Sequence, residues 1–135
     1  MVYEGGCLCG AVRYRIDGDP LSAGYCYCRM CQRAAGAPVV AWVAFHRAGF
    51  RFVRGTPQSV KASERAVRRF CADCGSALTF EYAAATETID VTIASLDDPG
   101  STAPLYEIWT SSKPPWLHLD GDGPKYPGDA PGAPD

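Results

Sequence analysis

A chain of 135 residues with 47% hydrophobic and 21% charged side chains fits one folded domain and is too apolar for a disordered one. Its 13 basic and 15 acidic residues leave a net charge of -2, which excludes the broad basic footprint of a nucleic-acid binder and suggests no anionic-membrane surface. The anomaly is 7 cysteines, an odd number that cannot pair completely within one chain.

The opening MVYEGGCLCG lacks the basic start, apolar core and small-residue cleavage site of a secretory leader. The longest apolar stretch, Ala37 to Phe45, has nine residues, about half of the ~20 that a helix needs to span a bilayer. The expectation is a soluble chain in a reducing, cytoplasmic setting, its thiols reduced rather than built into a disulfide framework.

The first predicted strand runs from Gly10 to Ile16, where Val12, Tyr14 and Ile16 alternate with Arg13 and Arg15. Asp17-Gly18-Asp19-Pro20 turns the chain. Tyr25 to Gly36 carries three cysteines and one short helix-compatible piece, Arg29 to Ala35, closed by Gly36, and reads as a loop built around a ligand. Ala37 to Phe45, rich in β-branched and aromatic side chains, suits a strand buried on both faces.

After a turn at Arg47 to Gly49 come Phe50, Phe52 and Val53, a break at Gly55-Thr56-Pro57, then Val60 and the stretch Val67 to Phe70. Leu78 to Tyr82, Thr88 to Leu96 and Leu105 to Thr110 complete the strands, with Ile89, Val91 and Ile93 on one face of the second. Short strands between Gly, Pro and Asp turns predict a mainly β domain over residues 1–120, with helix limited to a turn or two. Residues 121–135, with four Pro and four Gly, read as a disordered or extended tail. The basic run Arg65, Arg68, Arg69 reads first as the solvated face of a strand, and otherwise as a site for an anion that Arg33 and Lys113 could join.

The cysteines fall into three groups, Cys7-x-Cys9, Cys26-x-Cys28-x-x-Cys31 and Cys71-x-x-Cys74-Gly75. Thiols two apart in an extended chain, or three apart around a tight turn, point to one side and can chelate one ion, and zinc prefers soft thiolates in a tetrahedral array. Cys71 to Gly75, between two strands, has the form of a zinc knuckle, with the glycine free to take the left-handed backbone. A redox C-x-x-C would open a helix, whereas Ala77-Leu78-Thr79-Phe80 is strand-like.

A closed site needs two further ligands, from Cys7 and Cys9 or from two of Cys26, Cys28 and Cys31, and spacing does not choose between them. Four ligands taken from seven leave three, the usual protein complement of a catalytic zinc. His46, ending a strand, and His118, near a turn, read as surface or packing residues rather than ligands.

The three groups in this order, with Gly5-Gly6-Cys7-Leu8-Cys9-Gly10-Ala11-Val12-Arg13-Tyr14, Cys26-Tyr27-Cys28-Arg29-Met30-Cys31-Gln32-Arg33, Gly36-Ala37-Pro38, Phe70-Cys71, Cys74-Gly75 and Lys113-Pro114-Pro115-Trp116, resemble the glutathione-dependent formaldehyde-activating enzymes, a family that includes centromere protein V. The resemblance spans about residues 4 to 120. It implies two zinc ions, a structural one on Cys7, Cys9, Cys71 and Cys74 and a catalytic one on Cys26, Cys28 and Cys31. It also implies a mainly β, Mss4-like fold of small sheets around the metal.

The activity it implies is that of a carbon–sulfur lyase joining a small thiol such as glutathione to a small aldehyde such as formaldehyde, as in S-hydroxymethylglutathione synthesis. The loop Tyr25 to Gly36 with Trp42, Trp109 and Trp116 would then wall the pocket. Two alternatives stand beside it. One is a non-enzymatic zinc module for protein interaction or thiol or metal sensing. The other leaves the second site empty or partly filled, its thiols open to oxidation, with Cys28 and Cys31 the first pair.

Overall fold

In the computed structural model, which describes residues 1–134, the chain runs through ten strands and one helix. The elements are β1 (Val2–Gly6), β2 (Arg13–Asp17), β3 (Ser22–Cys26), α1 (Arg29–Ala35), β4 (Val40–His46), β5 (Phe50–Arg54), β6 (Gln58–Val60), β7 (Ala66–Phe70), β8 (Ala77–Tyr82), β9 (Thr88–Thr92) and β10 (Glu107–Ile108), with 3-10 turns between some of them. The mainly β expectation holds. No helix among the described residues is long and apolar enough to cross a membrane.

The strands form a three-stranded sheet in the order β1-β2-β5 and a seven-stranded sheet in the order β10-β3-β4-β9-β8-β7-β6. Neighbours are antiparallel throughout except the short parallel pair β10 and β3. Period-two patterning decides which face of each strand is apolar. In β2, Tyr14 and Ile16 are fully buried, and with Phe50 of β5 they pack against Val43, Phe45, Ile89 and Val91 of the larger sheet. Each such side chain contributes roughly 1.5–3 kcal/mol by leaving water. The buried Tyr14 hydroxyl is satisfied by the Ser95 hydroxyl at 2.7 Å.

The apolar run expected to be buried on both faces does something else. In β4, Val43 and Phe45 enter this core, while Trp42 and Ala44 on the opposite face line a cavity. The run is apolar on both sides because its second face is a pocket wall. Thr88 to Leu96 is likewise divided, into β9 and a 3-10 turn at Ile93–Ser95, and only two residues of Leu105 to Thr110 are strand.

Two strands lay outside the sequence reading. β1 carries Glu4, Gly5 and Gly6, without an apolar alternation to mark it, and pairs only along the edge of the small sheet. β3 is Ser-Ala-Gly-Tyr-Cys, and its glycine is required: a Cβ on Gly24 would stand 2.3 Å from the ring of Tyr106. The helix is placed as expected, Arg29–Ala35, ended by Gly36 at φ 64.

Within the stretch expected as a disordered or extended tail, residues 124–128 lie along β10. Tyr126 N–H donates to the Glu107 carbonyl at 2.9 Å, and Trp109 N–H donates to the Gly128 carbonyl at 3.0 Å. Glu107 is buried and accepts from the Tyr27 hydroxyl at 2.5 Å. Lys125 stands 3.4 Å from its other carboxylate oxygen. A buried carboxylate is costly without a cation, so this contact gives the stretch a reason to dock despite its composition.

Lys125→Ala is therefore expected to lower the unfolding free energy by about 1–2 kcal/mol, below the usual cost of breaking a buried pair because the lysine is half exposed. Urea denaturation checks it. Adding Glu107→Gln to Lys125→Ala should recover part of the loss, and additive effects of the two changes would contradict the pairing.

Candidate metal centres

The first cluster joins two turns that lie far apart in sequence. Cys7 and Cys9 sit between β1 and β2, in a turn closed by Cys7 N–H to the Val12 carbonyl at 3.1 Å. Cys71 and Cys74 sit between β7 and β8, where Gly75 takes φ 77 and its N–H donates to the Cys71 carbonyl at 2.8 Å. A left-handed residue is needed there, and glycine takes that conformation without strain. The turns also touch directly, Leu8 N–H donating to the Ser76 hydroxyl at 3.0 Å.

The four sulfurs lie within 4.8 Å of one another. Cys7 and Cys9 sulfurs are 3.7 Å apart, and those of Cys9 and Cys71 3.8 Å. A tetrahedron with sulfurs about 2.3 Å from its centre, the zinc–thiolate distance, has edges of about 3.8 Å. The spacing therefore fits a single ion. Donors favour thiolate at two of the four: Val12 N–H donates to the Cys7 sulfur at 3.2 Å, and hydrogen bonds from the Ser76 hydroxyl and the Ser76 and Cys9 backbone bring Cys74 down to about 5, whereas the neighbouring Cys7 pushes Cys9 up to about 12.

The second cluster is local. Cys26 ends β3, Cys28 caps α1 and Cys31 lies in its first turn, and their three sulfurs also lie within 4.8 Å of one another. Cys31 N–H donates to the Cys28 sulfur at 3.2 Å, Cys28 N–H to the Cys26 sulfur at 3.5 Å, and the Arg68 guanidinium to the Cys31 sulfur at 3.5 Å. Hydrogen bonds from Cys26 and Cys31, with the Cys31 backbone and the nearby Arg68 charge, hold Cys28 far below the usual thiol range. Its bond to Cys28, the neighbouring Cys31 and burial push Cys26 up.

The clusters differ in what lies beside them. Cys26, Cys28 and Cys31 border a cavity of about 410 Å³ built on the sheet face turned away from the main core, and none of the other four cysteines lines it. Trp42, Phe80, Tyr82, Tyr106 and Trp109 supply aromatic walls. Residues 129–134 of the docked C-terminal stretch close one side. Asp129 is held there between the Trp109 indole N–H at 2.8 Å and Arg65 at 3.2 Å. Arg68 lies over the Phe80 ring, 4.9 Å from its centroid.

The basic run is therefore not one solvated face. Alternation along β7 sends Arg68 to the cavity and Arg69 to the other side, where it pairs with Glu81, while Arg65 faces the cavity from just before the strand. Arg33, Lys113 and Trp116 do not line the cavity, and Trp116 is exposed. His46 and His118 are exposed and belong to neither cluster. Sequence reasoning missed Asp90 and Asp129. Asp90 had a signal in the alternation Ile89, Asp90, Val91, where the acid falls on the cavity face. Asp129 had none in a Pro- and Gly-rich stretch.

The family model described as "Glutathione-dependent formaldehyde-activating enzyme" matches residues 2–112. A Halomonas elongata protein named "Putative glutathione-dependent formaldehyde-activating enzyme" is 28% identical over 129 residues, covering 89% of this chain and 82% of its own. The crystal structure of a Rhodobacter sphaeroides protein, 24% identical, superposes with a TM-score of 0.60 over 75% of this chain and 91% of that one, and shares the fold.

The two clusters should respond differently to loss of one sulfur. Cys71→Ser breaks a link between residues 62 apart in sequence and is expected to cost more than about 3 kcal/mol of stability and to lower metal content. Cys28→Ser, in a local loop, should cost less than about 1.5 kcal/mol. Urea denaturation with metal analysis reads both, and equal losses would contradict the division.

Proposed function

The chain belongs to the family of glutathione-dependent formaldehyde-activating enzymes, and on that premise we propose that it is a zinc-dependent carbon–sulfur lyase that forms and cleaves the adduct between a small thiol, such as glutathione, and a small aldehyde, such as formaldehyde. In this reading Cys7, Cys9, Cys71 and Cys74 hold a structural zinc. Cys26, Cys28 and Cys31 hold a catalytic one. The single observation that carries the proposal is that three sulfurs, one short of a closed tetrahedral set, border a cavity while the other four do not.

Zinc bound at the three-sulfur site would supply a Lewis acid with one open position that accepts a thiol sulfur and lowers its pKa. The protein's own part is to orient and to dry the site. Aromatic walls and the docked segment around Asp129 keep bulk water from a thiol lying beside Cys28. Arg68, held against Phe80 and Cys31, offers positive charge where it develops negatively on sulfur or on the aldehyde oxygen. The reaction is an addition: sulfur bonds to the carbonyl carbon, the oxygen gains a proton, and nothing is oxidised or reduced. A reducing compartment such as the cytoplasm would keep all seven thiols available.

Metal analysis and a rate measurement test the proposal together. The purified chain is expected to hold two zinc ions and to speed exchange between formaldehyde, glutathione and their adduct, followed by NMR. Cys28→Ser should lower that rate at least about a hundredfold and spare the first zinc. Two tightly held zinc ions with no rate above the spontaneous reaction would overturn the substrate pair and favour a non-enzymatic zinc module.

A further inference from the structure

Among the described residues the cavity holds one acid without a partner. Asp90 stands in the middle of β9, directly between Phe80 of β8 and Ala44 of β4, on the face that lines the cavity. Its neighbours Ile89 and Val91 go to the core. Ordinary strand chemistry would put an apolar or small side chain at such a position, and a carboxylate on an apolar wall marks a site of function rather than of packing.

The other charged and titratable groups on the cavity are engaged or of a different kind, Tyr106 laying its ring against Gly24 of β3. Arg65 is tied to Asp129 and to the Pro134 carbonyl, and Asp129 to Trp109 as well. Arg68 is tied to Cys31 and Phe80. Tyr82 lies at an edge with Arg65 over its ring, and burial pushes its hydroxyl up to about 12, out of reach of neutral pH. Cys26, Cys28 and Cys31 form the sulfur cluster, to which Asp90 does not belong. Among the described residues no hydrogen bond or ion pair steadies the Asp90 carboxylate, and burial, aided by the charge of Cys31, moves it up to about 7.

We propose that Asp90 carries the proton in the reaction proposed above, taking it from the incoming thiol and giving it to the aldehyde oxygen. This rests on that reading of the three-sulfur site. The step balances without a further reactant. The thiol proton passes to the Asp90 carboxylate, the sulfur lone pair forms the bond to the carbonyl carbon, and the C=O π pair moves to oxygen. Oxygen then takes the proton from Asp90, which returns to its starting state. In the cleavage direction the same proton travels back. Asp90 lies on the wall of the same cavity that the three sulfurs border and outside their cluster, the placement expected of an acid–base group rather than of a ligand.

The test uses the zinc-loaded full chain and Asp90→Asn, which keeps the shape and cannot accept the proton. The first readout does not involve turnover: protons released on binding glutathione, and separately 2-mercaptoethanol, are counted with an indicator dye in weak buffer at pH 8. The wild type is expected to release less than about half a proton per bound thiol and Asp90→Asn about one, because the negative charge of the bound thiolate raises the carboxyl further, above the working pH, so that it keeps a proton the amide cannot take. The second readout is adduct exchange, expected to fall at least about a hundredfold in Asp90→Asn with zinc content unchanged. Asp90→Ala should regain part of its rate with added formate, a response that a purely structural role would not give.

Equal proton release in the two proteins with a near-wild-type rate overturns the proposal and leaves the thiol–aldehyde reading standing. Loss of the second zinc in Asp90→Asn overturns it too, making the residue a ligand. If neither thiol binds the wild type, the function proposed above falls, and this role for Asp90 with it.

Discussion

Four sulfurs drawn from two distant turns meet where the smaller sheet joins the larger one, close enough for one metal ion to link the two. Cys7 and Cys9 belong to the β1–β2 turn of the three-stranded sheet, Cys71 and Cys74 to the β7–β8 turn of the seven-stranded sheet. The hydrophobic core formed by Tyr14, Ile16, Phe50 and the inner face of the large sheet lies between the same two layers. Beside the cluster, Arg13 holds Asp97 through two hydrogen bonds, at 2.8 and 2.5 Å, and fastens β2 to the segment after β9. With one face of the large sheet committed to this core, the other is free to become a cavity.

That second face explains the contrast between the clusters. A ligand set spread over the fold resists rearrangement, because moving one sulfur means moving a sheet. The set Cys26, Cys28, Cys31 spans the end of one strand and the first turn of one short helix, so its geometry is set locally by N–H groups donating to sulfur. Gln32 anchors that helix from behind, its amide donating to the carbonyls of Pro38 at 2.9 Å and Ser112 at 3.3 Å. The local set borders the cavity, and the long-range set lies away from it.

Much of this was legible in the sequence. Thiol spacing alone gives the three groups, a metal and the left-handed Gly75. Alternation gives the inward face of β2 and the core positions of β9, and Gly36 gives the end of α1. What pattern could not supply was partnership across the fold. Spacing left open which cysteines complete the Cys71–Cys74 pair, since that depends on which turns the sheets bring together. Ala37 to Phe45 could show that both faces are apolar, yet not that one faces a cavity, because a pocket wall and a core select the same side chains. Residues 121–134, rich in Pro and Gly, lack local signals, and their contacts are long-range: Lys125 to Glu107, and Asp129 to Trp109 and Arg65. Arg68 was legible only as one of two readings of the basic run and Asp90 only through the alternation of β9, since charge on a strand reads as solvent until the opposite wall is known.

The central claim is that one cluster is a closed four-sulfur site and the other an open three-sulfur site. Anomalous diffraction at the zinc edge from crystals of the purified chain tests it most directly. The account predicts two zinc positions per chain: one surrounded by the sulfurs of Cys7, Cys9, Cys71 and Cys74, the other by those of Cys26, Cys28 and Cys31, with its fourth ligand a water or small thiol reaching in from the cavity. A fourth protein ligand at the second position, or a disulfide among its cysteines in place of metal, would contradict it.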